Sequence, residues 1–180
     1  MTTNVQDQVD KIMQEWERER PDIDVSPMAI LGRITRLEPL IISKLVPVFA
    51  EHNMDFPAFD VLAALRRSGE PYELTPGELA TSMMVTPGAV AQRLTRMELA
   101  GFITRRHDNP DRRKVTVALT PKGREAIDAA IVDHCVNEEE IISIYTDEEK
   151  EILTGLLRRL LSTLEVDFTH ARRQVLRTTF

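Results

Sequence analysis

Hydrophobic positions recur at steps of three and four along most of this chain, and a period of two appears in only one region. Over residues 3–20, Val5, Val9, Ile12, Met13 and Trp16 form one stripe, with Asp10, Glu17 and Arg18 on the other side. That pattern predicts a short helix, stopped by Pro21. Pro21 to Val25 reads as a connector. Ser26-Pro27 then predicts a helix start, with Ser as N-cap and Pro in the first helical position. Behind it Met28, Leu31, Ile34, Leu37, Ile41, Leu45 and Val48 keep helical period. Pro39 and Pro47 fall inside that run and predict a kink, or two helices end to end, because each removes an internal hydrogen bond. A third helix starts at Phe56-Pro57, carries Phe59, Leu62 and Leu65, and ends at Ser68-Gly69. Thr75-Pro76-Gly77-Glu78 is a complete capping box for a helix of about two turns. Thr86-Pro87 opens the next, with Val90, Leu94 and Met97 in register up to Gly101. Two short capped helices joined by a turn form a helix-turn-helix pattern.

After Gly101 the period changes. Phe102 to Arg105 and Val115 to Leu119 read as strands around a polar, turn-forming tip from His107 to Lys114, which predicts a hairpin. Thr120-Pro121 caps a long helix carrying Ala126, Ile127, Ala130, Ile131 and Val136. Thr146 to Glu149 caps another, whose Ile152, Leu153, Leu156, Leu157, Leu160, Leu161 and Leu164 cover more than one stripe. So wide an apolar face, together with the first two helices, suits a core shared between two chains, although an internal helix gives the same pattern. Residues 171–180 are basic, lack periodicity and stay unassigned.

Composition agrees with a helix-rich protein and narrows its class. Of 180 residues 42% are hydrophobic, enough for a core, and only 5% are aromatic, few for a sandwich or barrel. One cysteine, Cys135, makes no internal disulfide, so a reducing cytoplasm is the expectation. No apolar run reaches the roughly 18–20 residues of a bilayer span. The polar N-terminus does not resemble a signal peptide, so no membrane association or export is expected. The histidines, at 52, 107, 134 and 170, are scattered, and no nucleophile elbow, phosphate loop or H-x-x-x-H occurs. An enzyme is therefore disfavoured. His134, Cys135 and Glu138 to Glu140 lack metal-ligand spacing, and Cys135 reads as a buried small hydrophobe; no metal and no cofactor are expected.

Net charge, -6, argues at first against any polyanion partner. Its distribution reverses that argument. From Thr86 to Lys114 seven basic residues face three acidic ones, whereas from Pro121 to Glu165 five basic face eleven acidic. A field follows the placement of charge, so a basic strip on the helix-turn-helix and hairpin attracts phosphate although the whole chain is acidic. A helix of this bore fits the major groove of double-stranded DNA. The small Ala89 and Ala91 permit close approach, and Gln92 and Arg96 reach base edges or phosphates. The N-terminal ends at Thr75 and Thr86 are oriented dipoles for phosphate, and an arginine at the hairpin tip suits a narrow minor groove. The competing reading is a solvated basic face on a protein-interaction scaffold.

The run LTPGELATSMMVTPGAVAQRLTRMELAGFITRRHDNPDRRKVTVALTPKG resembles the winged helix-turn-helix of the MarR family of transcriptional regulators. The R-L-x-R-M-E-x-x-G-[FL]-I-x-R stretch and the D-x-R-x-x-x-V-x-L-T-x-x-G wing carry the likeness, over about Phe56 to Gly123. The resemblance implies a mainly α fold with a small β-hairpin wing, flanked by helices that form a dimerisation domain. It implies these divisions: an added helix and connector (1–25), scaffold helices (26–55), the winged helix-turn-helix (56–120), C-terminal dimerisation helices (121–170) and a basic tail (171–180). It further implies a homodimer whose two reading helices meet successive major grooves of a pseudo-palindromic operator about 34 Å apart. The reading helix is Pro87 to Leu99. Its candidate DNA contacts are Thr86, Pro87, Ala89, Val90, Gln92, Arg93 and Arg96, joined at the wing by Asp111, Arg112, Arg113 and Lys114, with Asp111 orienting Arg113.

The added helix with its tryptophan, followed by E-R-x-R-P-D-[IL]-D-V-S-P-M, resembles the urate-responsive branch of that family. The branch implies an effector site made of Trp16, Asp60, Arg67 and Arg93. Asp60 and Arg67 are seven apart, nearly two turns, and so share a helix face. Two guanidinium forks and an aromatic wall suit a small anionic effector, either a purine such as urate or an organic polyacid. A plain salt bridge and a core tryptophan are the competing readings of the same residues. To release DNA, the effector must bind the non-operator state better.

Overall fold

In a computed structural model of the chain, the described residues are 6–83, 85–107 and 115–178, without the side chains of 87, 107 and 167–178. Helix α1 (Gln8–Glu19) begins at a capping box in which the Asp7 carboxylate accepts from the backbone N–H groups of Val9 and Asp10, and the Asp10 carboxylate accepts from that of Asp7. Both carboxylates also receive the guanidinium of Arg33 on α2 (Met28–Glu51), at 2.8 and 2.7 Å. Between the two helices the buried Val9 lies so close to Gly32 that a Cβ there would stand 3.2 Å from its methyl.

Two expectations for α2 need correction. Ser26 is not the N-cap: Asp24 takes both its N–H and its hydroxyl, and the helix starts through a tight turn in which Met28 N–H donates to Val25 and Ala29 N–H to Ser26. Of the two alternatives for the prolines, two helices end to end is not realised: one helix runs through Pro39 and Pro47. Each proline deletes one hydrogen bond of a ladder 24 residues long, and the bonds on either side carry the backbone past it. Along α2 only Leu45 and Phe49 are buried; Ile30, Leu31, Leu37 and Leu40 are exposed.

Helix α3 (Phe56–Arg67), capped by Asp55 onto Ala58 N–H, supplies Phe59, Val61, Leu62, Ala64 and Leu65 to the core. Strand β1 (Glu73–Leu74), α4 (Pro76–Ser82), α5 (Pro87–Leu99), β2 (Ile103–His107) and β3 (Val115–Leu119) follow. The Thr75–Glu78 capping box forms as expected. The hairpin is in register from Ile103 opposite Leu119 to His107 opposite Val115, and β1 adds to the far side of β3, so the sheet has three strands in the order β1-β3-β2. Two-residue β1 shows no alternation in sequence; the sheet edge recruits it. Phe49, Leu62, Leu65, Leu79, Leu94, Ile103, Val117 and Ile127 make the centre of the core.

Helix α6 (Pro121–Ile142) starts against the end of α5. Thr120 Oγ accepts from Gly123 N–H and donates to the Gly101 carbonyl, while Lys122 donates to the Ala100 carbonyl and lies over the Phe102 ring. A Cβ on Gly123 would stand 2.0 Å from the Phe102 carbonyl oxygen, so only glycine fits this approach. The chain divides into two compact units, 1–137 and 138–180, the division falling inside α6; on that helix Cys135, expected to be buried, is exposed. In the second, Thr146 and Glu149 form a capping box and Lys150 pairs with Glu139 at 2.6 Å. There α7 (Asp147–Thr178) extends through most of the tail that lacked periodicity. Its Ile152, Leu156, Leu161 and Leu164 are exposed. Among the described residues no helix is long and apolar enough to cross a membrane.

Candidate nucleic-acid interface and effector residues

The reading helix is built by one buried stripe. Val90, Leu94 and Met97 are almost fully excluded from solvent, which leaves Ala91, Gln92, Thr95, Arg96 and Leu99 facing outward. The Thr86 hydroxyl accepts from Ala89 N–H, fixing the first turn. Gln92 and Arg96, the expected donors to bases or phosphates, are thus on the open face, with Ala89 half-buried beside them. Val90 is corrected: at zero exposure it belongs to the core and cannot meet DNA. Its place in the repeat with Leu94 and Met97 was the signal for that. The side chain of Pro87 and all of Asp111, Arg112, Arg113 and Lys114 lie outside the described residues.

The basic strip is largely neutralised along its helix and strand. Arg93 faces Asp60 at 3.4 Å and Arg96 faces Asp55 at 3.6 Å. Arg105 holds Glu98 through its backbone N–H and its guanidinium, and Arg106 pairs with Glu73. Asp55, Asp60 and Glu73 precede the window whose charge looked strongly positive, so a count along the chain missed them. An N-cap aspartate before Phe56 was the one sequence signal for Asp55.

Of the four expected effector residues the structure brings two, Asp60 and Arg93, into contact. Asp60, half-buried on α3, makes the ion pair with Arg93 of α5. Burial pushes its carboxyl above the usual aspartate range, against the opposing charges of Arg93 and then Arg67. Arg67 does not bond Asp60; its guanidinium donates to the carbonyl (2.9 Å) and hydroxyl (2.7 Å) of Ser82, the last residue of α4. Trp16 is 43% exposed on α1, and among the described residues its ring has no hydrogen bond or ring contact with the other three.

Residues 52–114 match the model of the MarR family. The transcriptional regulator PecS of Dickeya dadantii (strain 3937) is 38% identical over 153 residues, 85% of this chain and 92% of its own length. The chain belongs to the MarR family. Solved structures share the fold: the organohalide-sensing transcriptional regulator RdhR-CbdbA1625 in its 2,4-dichlorophenol-bound form, with TM-score 0.72 and 22% identity, covers 80% of this chain and 84% of its own. The structure of Bordetella bronchiseptica BpsR, described with 6-hydroxynicotinic acid, has TM-score 0.65 and 21% identity over 74% of this chain and 94% of its own. As a MarR-family member the chain is a winged-helix transcriptional regulator, and its relatives are regulators rather than enzymes.

Proposed function

We propose that this regulator binds a pseudo-palindromic operator in double-stranded DNA as a cytoplasmic homodimer, acts as a repressor, and is released by a small anionic effector. The observation that carries the reading is the exposed face of α5: it presents Gln92 and Arg96 from a helix whose opposite face is locked into the core. Apolar side chains left uncovered on α2 and on α7 support a second copy as the partner. Effector response is supported by Arg93, which joins the reading helix to Asp60 on α3, and by ligands named with two structural neighbours, 2,4-dichlorophenol and 6-hydroxynicotinic acid. An anion drawn to Arg93 loosens its bond to Asp60 and thereby the seat of the reading helix.

A mobility-shift assay on DNA upstream of the protein's own gene, repeated with urate, xanthine, citrate and aconitate, tests this. Retarded DNA that one of these anions frees, with sedimentation showing a dimer, supports the reading. Release that is unchanged in Arg67→Ala and Trp16→Ala removes those two residues from the effector site. A monomer, or a protein that does not retard the DNA, overturns the reading.

A further inference from the structure

We infer that Gly88 is a specificity-determining position of the reading helix: by lacking a side chain it lets the first turn of α5 come against base edges in the major groove. The inference rests on the operator-binding reading, and Gly88 was not among the DNA contacts expected from the sequence.

Four of the chain's seven glycines are required by the chain itself. A Cβ on Gly32 would stand 3.2 Å from a Val9 methyl, one on Gly123 would strike the Phe102 carbonyl, and Gly69 and Gly101 take φ of +81° and +76°. Gly88 has no such reason. It is the second residue of α5, its φ is not positive, and a Cβ built on it meets no atom within 4 Å among the described residues. Gly77 and Gly155 also have room for a side chain, but they stand on α4 and α7, outside the reading helix. Alanine or leucine favours a helix over glycine, whose backbone loses the most freedom on ordering. A glycine that weakens the helix where a side chain has room is explained by a surface that approaches from outside.

The rest of this face identifies that surface. Gly88 is exposed and lies one turn before Gln92, on the stripe that continues through Arg96 and Leu99. In a helix docked in the major groove the N-terminal residues lie against the base edges. Helix side chains lean toward the N-terminus, so Gln92 reaches over the surface at Gly88. An empty position there lets the Gln92 amide and a base lie in one plane, the geometry of a bidentate pair with adenine. A methyl at position 88 holds the helix off the groove floor and stretches that pair, while Arg96 still reaches a phosphate. Base contacts specify and phosphate contacts position, so the loss falls on discrimination between sequences.

Full-length Gly88→Ala and Gly88→Leu are titrated, by fluorescence anisotropy, against a duplex from upstream of the protein's own gene and an unrelated duplex of equal length. Gly88→Ala is expected to weaken operator binding about tenfold and Gly88→Leu about a hundredfold or more, with affinity for the unrelated duplex within about threefold of wild type. Both variants are expected to unfold in urea at a midpoint equal to or above that of wild type, which separates lost recognition from lost folding. Operator affinity of Gly88→Leu within about twofold of wild type, equal weakening on both duplexes, or a lowered midpoint for Gly88→Ala overturns the inference. Wild type that binds both duplexes alike defeats the operator-binding reading itself.

Discussion

Arg93 was expected to serve both DNA and effector, and its surroundings separate the two roles. A side chain turned toward Asp60 and mostly buried is placed to couple α5 to α3, whereas the exposed Arg96 is placed to reach a phosphate. Asp60 bears a measurable mark of that placement. Burial raises its carboxyl in the folded chain above its value in the unfolded one. The folded state then holds more protons than the unfolded state in the window just above the ordinary aspartate range. Stability from this group therefore rises as pH falls through the window and is lost as pH climbs to neutrality. Urea unfolding of wild type and Asp60→Asn, followed from neutral pH to about pH 4.5, should show the variant's relative stability decreasing toward acid; a gap that stays constant with pH contradicts the assignment.

At the scale of elements, signals that involve neighbours in sequence were legible and pairings across space were not. Thr75 with Glu78, Thr86 with Ala89 and Thr146 with Glu149 all act within one turn, and each cap is visible as a residue pattern. Val90, Leu94 and Met97 were read correctly as one stripe, yet Val90 was also read as a DNA contact, because residue type alone does not give the direction of a side chain. Strand β1 and the partners Asp55, Asp60 and Glu73 come from elsewhere in the chain and leave no local period. The cap expected at Ser26 did not form because its hydroxyl and N–H donate to Asp24, two residues away, and the hydroxyl accepts from no N–H of the first turn. The junction of α5 with α6 offers the sharpest test of packing. Gly123→Ala forces a methyl into the Phe102 carbonyl, and a clash with backbone moves helices rather than a rotamer. A loss of about 3 kcal/mol in chemical denaturation is expected, with weaker operator binding as α5 shifts; a loss below about 0.5 kcal/mol contradicts the close approach.

For the whole molecule the unresolved quantity in sequence was charge. A strip of seven basic residues looked like a continuous phosphate-binding surface within a chain of net charge -6. Arg93, Arg105 and Arg106 pair with carboxylates, so the proposed DNA-bound state takes its phosphate contacts from Arg96, loosely held, and from Arg112, Arg113 and Lys114. With four such contacts per protomer, the logarithm of operator affinity should fall with the logarithm of salt at a slope of about -7 for a dimer. Seven per protomer would give about -13. A slope near the steeper value means that DNA breaks the intramolecular pairs. The wing tip thus carries most of the electrostatic share of binding in this account. The most direct test is the operator affinity of the full-length Arg112→Glu/Arg113→Glu variant, by fluorescence anisotropy, with its oligomeric state checked by sedimentation. Loss of about a hundredfold or more with the dimer intact is the predicted result, and affinity equal to wild type would contradict the account.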